Sequence, residues 1–141
     1  MKIDLEEILA GIGRTPRHIA HPEDNLQTAC VEWFRYAHRH IAPLLFHPNN
    51  EAYTGGSGRN QRRGGARLKA MGVVAGVADL ILLHPGAEGQ HALAVEMKSA
   101  QGRQSPAQRE WQRAAEAVGV EYRVVRTLED FIATVNGYLG Q

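Results

Sequence analysis

The sequence predicts one α/β domain in which a single sheet is flanked by helices. Three observations support this prediction: an amphipathic helix near the start, two apolar strand-like segments in the middle, and two capped helices around a further strand. The predicted order is helix, strand, long loop, strand, strand, helix, strand, helix. One sheet packed between helices accommodates that order.

The composition is typical of a folded protein of ordinary size. The chain has 141 residues, of which 43% are hydrophobic and 22% are charged, so it can bury one core as a single domain. Its single cysteine, Cys30, allows no intrachain disulfide and fits a reducing compartment. The acidic start lacks a signal-peptide pattern, and no segment approaches the ~20 apolar residues of a membrane span. We therefore expect a cytoplasmic protein with no membrane partner.

The first long helix divides the chain into two parts. Residues 1–22 are expected to form an N-terminal extension with a short helix that Asp4 can cap, and residues 23–141 the main domain. The long helix is predicted from about Asp24 to His40, because apolar residues recur there at helical spacing. That apolar stripe consists of Leu26, Ala29, Cys30, Trp33 and Ala37.

Two apolar segments, Gly76–Leu83 and His91–Lys98, predict the strands of a hairpin whose turn contains proline and glycine. Side chains alternate between the two faces of a strand. The core face of the second strand therefore carries Leu93, Val95 and Met97. Glu96 and Lys98 share the other face, about 7 Å apart by the strand rise.

Shorter segments complete the predicted domain. Short strands are expected at Leu44–Phe46 and Tyr122–Val125. Helices are expected over residues 105–118 and 127–139, because each begins at a serine or threonine that can cap its first turn.

Asp79 interrupts an apolar strand, where a carboxylate is costly to bury unless something pairs with it. In a hairpin it can approach Glu96, and a divalent cation removes the repulsion between two close carboxylates. Oxygen ligands suit Mg²⁺ or Mn²⁺. Such an ion could activate water at a phosphate, and Lys98 could orient that water or offset the developing charge. The alternative is a solvated strand end with an ordinary ion pair, because E-x-K is common by chance.

Three blocks taken together carry a family resemblance: G-V-A-D-L-I-L-L, A-V-E-M-K and S-P-A-Q-R-E-W. Over about Glu23 to Arg126 the chain resembles the VRR-NUC (virus-type replication-repair nuclease) family, a branch of the PD-(D/E)XK nuclease superfamily. The resemblance implies a restriction-endonuclease-like α/β core, with a mixed sheet flanked by helices, and metal-dependent cleavage of DNA phosphodiesters.

The resemblance also implies a biological setting. Relatives often act on branched or flapped DNA in replication, repair or recombination. The chain resembles the small stand-alone form found in phage and prophage, with which a homodimer is compatible. The expected location is then the cytoplasm of a bacterial or phage-infected cell.

The resemblance assigns roles residue by residue. Asp79 matches the metal-binding aspartate of the family, and Glu96 and Lys98 match its E-x-K. Gln108 matches the glutamine of the following helix, and Glu23 the glutamate of the first helix. The expected catalytic set is therefore these five residues. The expected ligands of Mg²⁺ or Mn²⁺ are Asp79, Glu96 and Glu23.

Two of these assignments have alternatives. Glu23 borders the apolar stripe about 60° from Leu26, with Gln27 behind it, whereas Glu32 lies about 120° away on the opposite flank. We choose Glu23 and keep Glu32 in reserve, although a first-turn acid also interacts favourably with the helix dipole. Gln108 belongs to a capping box with Ser105, which would occupy its side chain, but capping and a site role can coexist.

The segment Asn49–Ala75 is glycine-rich and basic, and is predicted as a long loop with at most a helical turn near Ala66–Met71. Arginine forks suit DNA phosphates, so the expected DNA contacts include Arg59, Arg62, Arg63, Arg67 and Lys69. The family resemblance adds Asn49, which looks like the family's asparagine near the site, and Gln27, which belongs to its E-x-x-L-Q pattern. The alternative is a solvated loop. The seven histidines form no H-E-x-x-H motif and are expected at the surface or satisfied in the core.

Two other functions remain compatible with the sequence. One is a DNA-binding module on the same fold without catalysis, against which the intact Asp79, Glu96 and Lys98 argue. The other is a sequence-specific restriction-type endonuclease, which would cut at one short sequence rather than near a junction.

Overall fold

The computed structural model describes residues 22–48 and 59–141. The elements of these residues are α1 (Pro22–Ala37), β1 (Leu45–Phe46), α2 (Arg59–Ala70), β2 (Leu80–Leu82), β3 (Ala92–Met97), α3 (Pro106–Ala117), β4 (Val120–Val125) and α4 (Leu128–Leu139). A 3-10 helix, Arg39–Leu44, joins α1 to β1. The short helix predicted within the N-terminal extension lies outside the described residues. Within them, no helix has the length and apolar character needed to cross a bilayer.

The four described strands form one mixed sheet in the order β1-β2-β3-β4. The first three strands are antiparallel neighbours, and β4 runs parallel to β3. In the predicted hairpin, Leu80 lies opposite Val95 and Ile81 opposite Ala94. The predicted α/β class, with a mixed sheet flanked by helices, is confirmed.

The long first helix is shorter than predicted at its C-terminal end. α1 ends at Ala37, because His38 has φ −127° and ψ 54°, outside the helical region. Three more residues were expected to be helical, but the chain tightens into the 3-10 helix that contains Pro43.

The basic segment was predicted as a loop, and this prediction is wrong for its second half. α2 is a regular helix of 12 residues rather than a single turn near Ala66. Its end has a glycine cap that the sequence prediction missed. Gly72 has φ +102°, and the Val73 N–H donates to the Leu68 carbonyl at 2.9 Å.

The strand predicted from Gly76 begins only at Leu80, so Asp79 precedes the strand instead of lying within it. The reason is a close packing contact. Gly76 has φ +83° and lies against the start of α3, where a Cβ would collide with the Ala107 backbone carbonyl. At Gly76 the chain therefore packs against the start of α3, and it joins the sheet only at Leu80.

The sheet buries side chains on both faces. The main core lies between the sheet and helices α1 and α4, and it includes Leu80, Leu82, Leu93, Val95, Met97, Val125, Phe34 and Phe131. On the other face, Trp111 of α3 packs against a small cluster of Ala78, Ala94 and Tyr122. All six residues of β3 are buried, so this strand is central rather than an edge.

Candidate active site

Asp79 is held at the start of β2 by the backbone of β3. Its Oδ2 accepts a hydrogen bond from the Met97 N–H at 2.7 Å. Because Leu80 already pairs with Val95, the carboxylate takes the place of a backbone acceptor where the antiparallel pairing ends. The residue next to Met97 is Glu96, so the fold brings together the two acids that the sequence analysis singled out.

Glu96 is almost completely buried, with 2% of its surface exposed. Its Oε1 accepts hydrogen bonds from the Gln108 side-chain amide at 2.6 Å and from the Lys98 ammonium at 3.1 Å. Its Oε2 is buried and has no hydrogen-bond partner among the described residues. A buried carboxylate oxygen without a partner is costly, so this atom is a suitable ligand for a cation.

Burial makes both acids harder to ionise. Burial, reinforced by the charge of Asp79, raises the pKa of Glu96 to about 7. Burial also raises the pKa of Asp79, although the Met97 hydrogen bond opposes that change. Paired, desolvated carboxylates of this kind are concentrated at functional sites.

Lys98 lies one residue beyond β3 and continues its pairing with β4. The Lys98 N–H donates to the Val125 carbonyl at 3.0 Å, which fixes the backbone. Only 8% of the residue is exposed, and its ammonium forms the ion pair with Glu96. Glu96 and Lys98 therefore form a buried ion pair at the end of the central strand. The alternative of an ordinary exposed ion pair at a solvated strand end is not what the structure shows.

Glu23 reaches the same end of the sheet from the first turn of α1. Its Oε1 accepts a hydrogen bond from the Ser99 N–H at 3.1 Å, and its charge raises the pKa of both Asp79 and Glu96. Glu32, the reserve choice, instead lines an open cleft further along α1. The structure thus brings Glu23 to the acidic pair.

The carboxylates do not form a closed metal cage. In the part of the chain that the structure describes, no three His, Cys, Asp or Glu side chains are close enough to hold a metal ion together. Mg²⁺ commonly keeps several waters and needs only one or two protein carboxylates. Asp79 and Glu96, with the unpartnered Oε2, fit that kind of site, and Glu23 lies beside them.

Gln108 performs two roles with different atoms of its amide. Its Oε1 accepts from the Ser105 N–H at 2.8 Å, and the Ser105 hydroxyl accepts from the Gln108 N–H at 3.2 Å, which completes the capping box. Its Nε2 remains available and donates to Glu96. Capping and contact with the site therefore coexist.

Two residues at the site were missed by the sequence analysis. His47, which was expected to be an ordinary histidine, has its Nδ1 2.5 Å from the backbone carbonyl of Asp79. Arg126 donates through Nη1 to the carbonyls of Ser99 and Gly102, at 2.5 and 2.8 Å, and so holds the loop that follows Lys98. Both contacts depend on pairing between distant segments, which no local pattern reveals.

The predicted DNA-contacting residues fall in two places. Arg59, Arg62, Arg63, Arg67 and Lys69 all belong to α2, and the last two are exposed. At about 100° per residue these five positions span an arc of about 160°, with Leu68 in the middle of the opposite side. Gln27 lines the cleft along α1, and Asn49 lies outside the described residues.

A mixed α/β sheet with an acidic pair and a lysine where β2 begins and β3 ends is consistent with the PD-(D/E)XK-like nuclease fold. The sequence model of the VRR-NUC domain matches residues 21–128. The chain therefore belongs to the VRR-NUC domain family, whose members are nuclease-type DNA-processing proteins, and the resemblance noted in the sequence is confirmed.

A solved structure described as a VRR_NUC domain protein is similar to the chain, with a TM-score of 0.68 and 24% sequence identity. The similarity covers 86% of this chain and 91% of that one. At this level of identity it shows the fold. No curated protein matches the chain with significant similarity.

Proposed function

We propose that the protein is a metal-dependent DNA endonuclease that hydrolyses phosphodiester bonds in branched DNA, such as flap, splayed-arm or junction substrates. The observation that carries the proposal is the buried Asp79–Glu96 pair beside Lys98, in which one Glu96 oxygen has no partner among the described residues. Family membership supports DNA as the substrate, and the preference for branched DNA is part of the proposal.

The donor set indicates which residues would hold the metal. Asp79 and Glu96, with Glu23 beside them, are the ligands that we propose for Mg²⁺ or Mn²⁺. The bound ion would supply an activated water and charge stabilisation at the phosphate. Gln108 orients Glu96 by donating to Oε1, which leaves Oε2 for the ion. Lys98, which forms an ion pair with Glu96, would donate to the attacking water or to a phosphate oxygen as the bond to the leaving sugar oxygen breaks.

The DNA backbone would be held by α2. Two exposed cations, Arg67 and Lys69, lie on the side of the helix that also carries its three other basic positions. Phosphate contacts of this kind position DNA without reading its sequence. Since the whole chain carries a formal charge of only +1, the attraction for DNA must come from such a local surface.

The biological setting is part of the proposal and rests on the family. We place the activity in replication, repair or recombination, in the cytoplasm of a bacterial or phage-infected cell, with a homodimer as the assembly. Sedimentation of the purified protein alone and with a four-way junction would test the dimer.

Cleavage of labelled DNA tests the proposed activity directly. Duplex, flap, splayed-arm and four-way-junction DNA are incubated with Mg²⁺ or Mn²⁺ and with wild type, Glu96→Gln or Lys98→Met. The matched control is Arg113→Met, which removes an exposed cation from α3. We expect each site variant to lose at least about 100-fold in cleavage rate, because each removes a group that acts at the reacting phosphate. The control should remain active.

The substrate pattern separates the alternatives. Cutting near the branch point whatever the sequence supports the proposal. Cutting of plain duplex at one short sequence would indicate a restriction-type enzyme. Binding without cleavage in either metal, by a protein that unfolds cooperatively, would indicate a module without catalytic activity.

A further inference from the structure

An open cleft of about 280 Å³ lies beside the candidate active site, between α1 and the residue that follows β1. We call it the α1 cleft. The described residues that line it are Gln27, Thr28, Val31, Glu32, Arg35 and His47. Its volume is near the lower limit of small-molecule pockets, so it suits one small planar group better than a large cofactor.

His47 connects the α1 cleft to the active site. A carbonyl oxygen can only accept, so the contact between His47 Nδ1 and the Asp79 carbonyl requires the proton on Nδ1. This hydrogen bond fixes the orientation of the exposed ring and leaves Nε2 as an acceptor in the neutral form. A group bound in the cleft would therefore lie next to the residue whose carboxylate belongs to the acidic pair.

The lining chemistry favours a nucleobase over a phosphate. Gln27 offers both a donor and an acceptor, and Arg35 offers a planar fork of donors, which are the side-chain types that read base edges. The fixed His47 ring offers a flat surface on which a base can stack. A phosphate would meet the like charge of Glu32 as well as the opposite charge of Arg35, whereas a neutral base can use an acceptor and a donor together.

We propose that the α1 cleft receives an unpaired base of the DNA strand next to the cleaved phosphodiester. The inference rests on the proposed endonuclease function and names the feature of branched DNA that the site recognises. A base inside a duplex is stacked and paired, and removing it costs free energy, whereas a base in a flap or splayed arm is already free. The cleft would therefore select nucleotides at a branch point over intact duplex.

Binding to abasic DNA tests this inference without relying on cleavage. Fluorescein-labelled splayed-arm DNA is prepared with normal nucleotides, or with tetrahydrofuran residues in place of the unpaired nucleotides beside the fork. Dissociation constants are measured by anisotropy in EDTA for wild type, Gln27→Ala, Arg35→Met and the control Arg113→Met. Thermal unfolding of each variant checks that it is folded.

We expect abasic residues to weaken wild-type binding by about fivefold or more, which is the lower end of the effect of losing one stacked or bidentate base contact. Gln27→Ala and Arg35→Met should weaken binding to normal DNA and reduce the preference for normal over abasic DNA. Arg113→Met should retain that preference.

Three other results would overturn the inference. Equal affinity of wild type for normal and abasic DNA would exclude a base in the cleft. If Arg35→Met weakened binding to both DNAs equally while Gln27→Ala had no effect, the cleft would hold a phosphate. If the folded protein bound no DNA of any structure, the proposed endonuclease function itself would be wrong. The first two results, by contrast, would contradict only the role of the cleft.

Discussion

The side chain of Gln108 joins a helix cap to the acidic pair, and the two connections can be separated by mutation. Gln108→Glu keeps an acceptor for the Ser105 N–H but loses the donor to Glu96 and adds a negative charge beside it. We expect a loss of cleavage of about tenfold or more, since each 1.36 kcal/mol at the transition state is tenfold in rate.

The matched control is Ser105→Ala, which removes the hydroxyl of the cap and leaves the contact between Gln108 and Glu96 in place. It should lower the free energy of unfolding by ~1 kcal/mol and leave cleavage nearly unchanged. Equal loss of cleavage in both variants, measured on the same junction DNA, would mean that Gln108 acts only as a cap.

The buried His38 should make the protein less stable against unfolding in acid. The residue is 4% exposed, it packs against Trp33 and Phe34, and its Nε2 has no hydrogen-bond partner within the described residues. Burial, with a smaller effect from the charge of His40, lowers its pKa below the ordinary value of 6.5. The folded state therefore resists the proton that the unfolded chain accepts. The resulting stability is present above about pH 6.5 and is lost as the pH falls through the folded-state pKa.

Urea unfolding from pH 8 to pH 5 measures this effect. His38→Phe should remove part of the loss of free energy of unfolding below pH 6.5, because the aromatic packing is kept and the titrating ring is gone. His40→Gln, which removes only the smaller cause, should change the pH dependence little. Parallel pH curves for wild type and His38→Phe would contradict the prediction.

At the scale of residues, the sequence predicts what lies in one local pattern. Glu96 and Lys98 could be placed on one face because strand alternation needs only their spacing. The partnership of Asp79 with the Met97 N–H needed the hairpin register, and the contact of His47 with Asp79 needed the pairing of β1 with β2. No local pattern in the sequence indicates those two contacts.

Among the secondary-structure elements, replacing two glycines by alanine should change the stability of the protein in opposite directions. Gly65 lies within α2, and a Cβ methyl group added there would have no atom within 4 Å, so Gly65→Ala should stabilise the protein by ~0.5–1 kcal/mol. Gly76 has φ +83° and abuts the Ala107 backbone, so Gly76→Ala should destabilise by ~2 kcal/mol or more. Thermal and urea unfolding of both variants would check the signs. A stabilising Gly76→Ala would mean that the backbone at Gly76 is not packed against α3.

The mistaken prediction of a loop at α2 has a physical explanation. Hydrophobic periodicity is the main sequence signal for a helix, and Leu68 is the single large apolar residue of α2. Its arginines, glutamine, lysine and alanines nevertheless have good helix propensity, which offsets the two glycines in its middle. By contrast, α3 and α4 were located closely because each has a side-chain cap, at Ser105 and Thr127.

For the protein as a whole, the acidic pair leads us to expect that a bound metal ion stabilises the folded state against unfolding. Ligand that binds only the folded state stabilises it by ~2.7 kcal/mol when present at 100 times its dissociation constant. Thermal unfolding of wild type should therefore shift upward as MnCl₂ is added. Asp79→Asn, which keeps an acceptor for the Met97 N–H but loses the charge, should fold and show a much smaller shift. The control Asp130→Asn, in the first turn of α4, should respond like wild type.

A persistent Mn²⁺-dependent shift in Asp79→Asn would place the ion elsewhere. No shift in wild type at millimolar Mn²⁺ would remove the basis for two carboxylate ligands at this site. Either result can be obtained without measuring cleavage, so it is independent of the choice of DNA.

The contact of Arg126 with the loop after Lys98 determines how much of the chain must be synthesised before the candidate site can assemble. Lys98 is tied through its backbone to Val125, and the loop carbonyls of Ser99 and Gly102 are tied to Arg126. The ribosome adds these partners more than 20 residues after the E-x-K strand has been made. A nascent or prematurely terminated chain that stops before β4 carries every proposed catalytic side chain and lacks the frame that aligns them. We expect such fragments to lack the cleavage activity proposed for the folded protein.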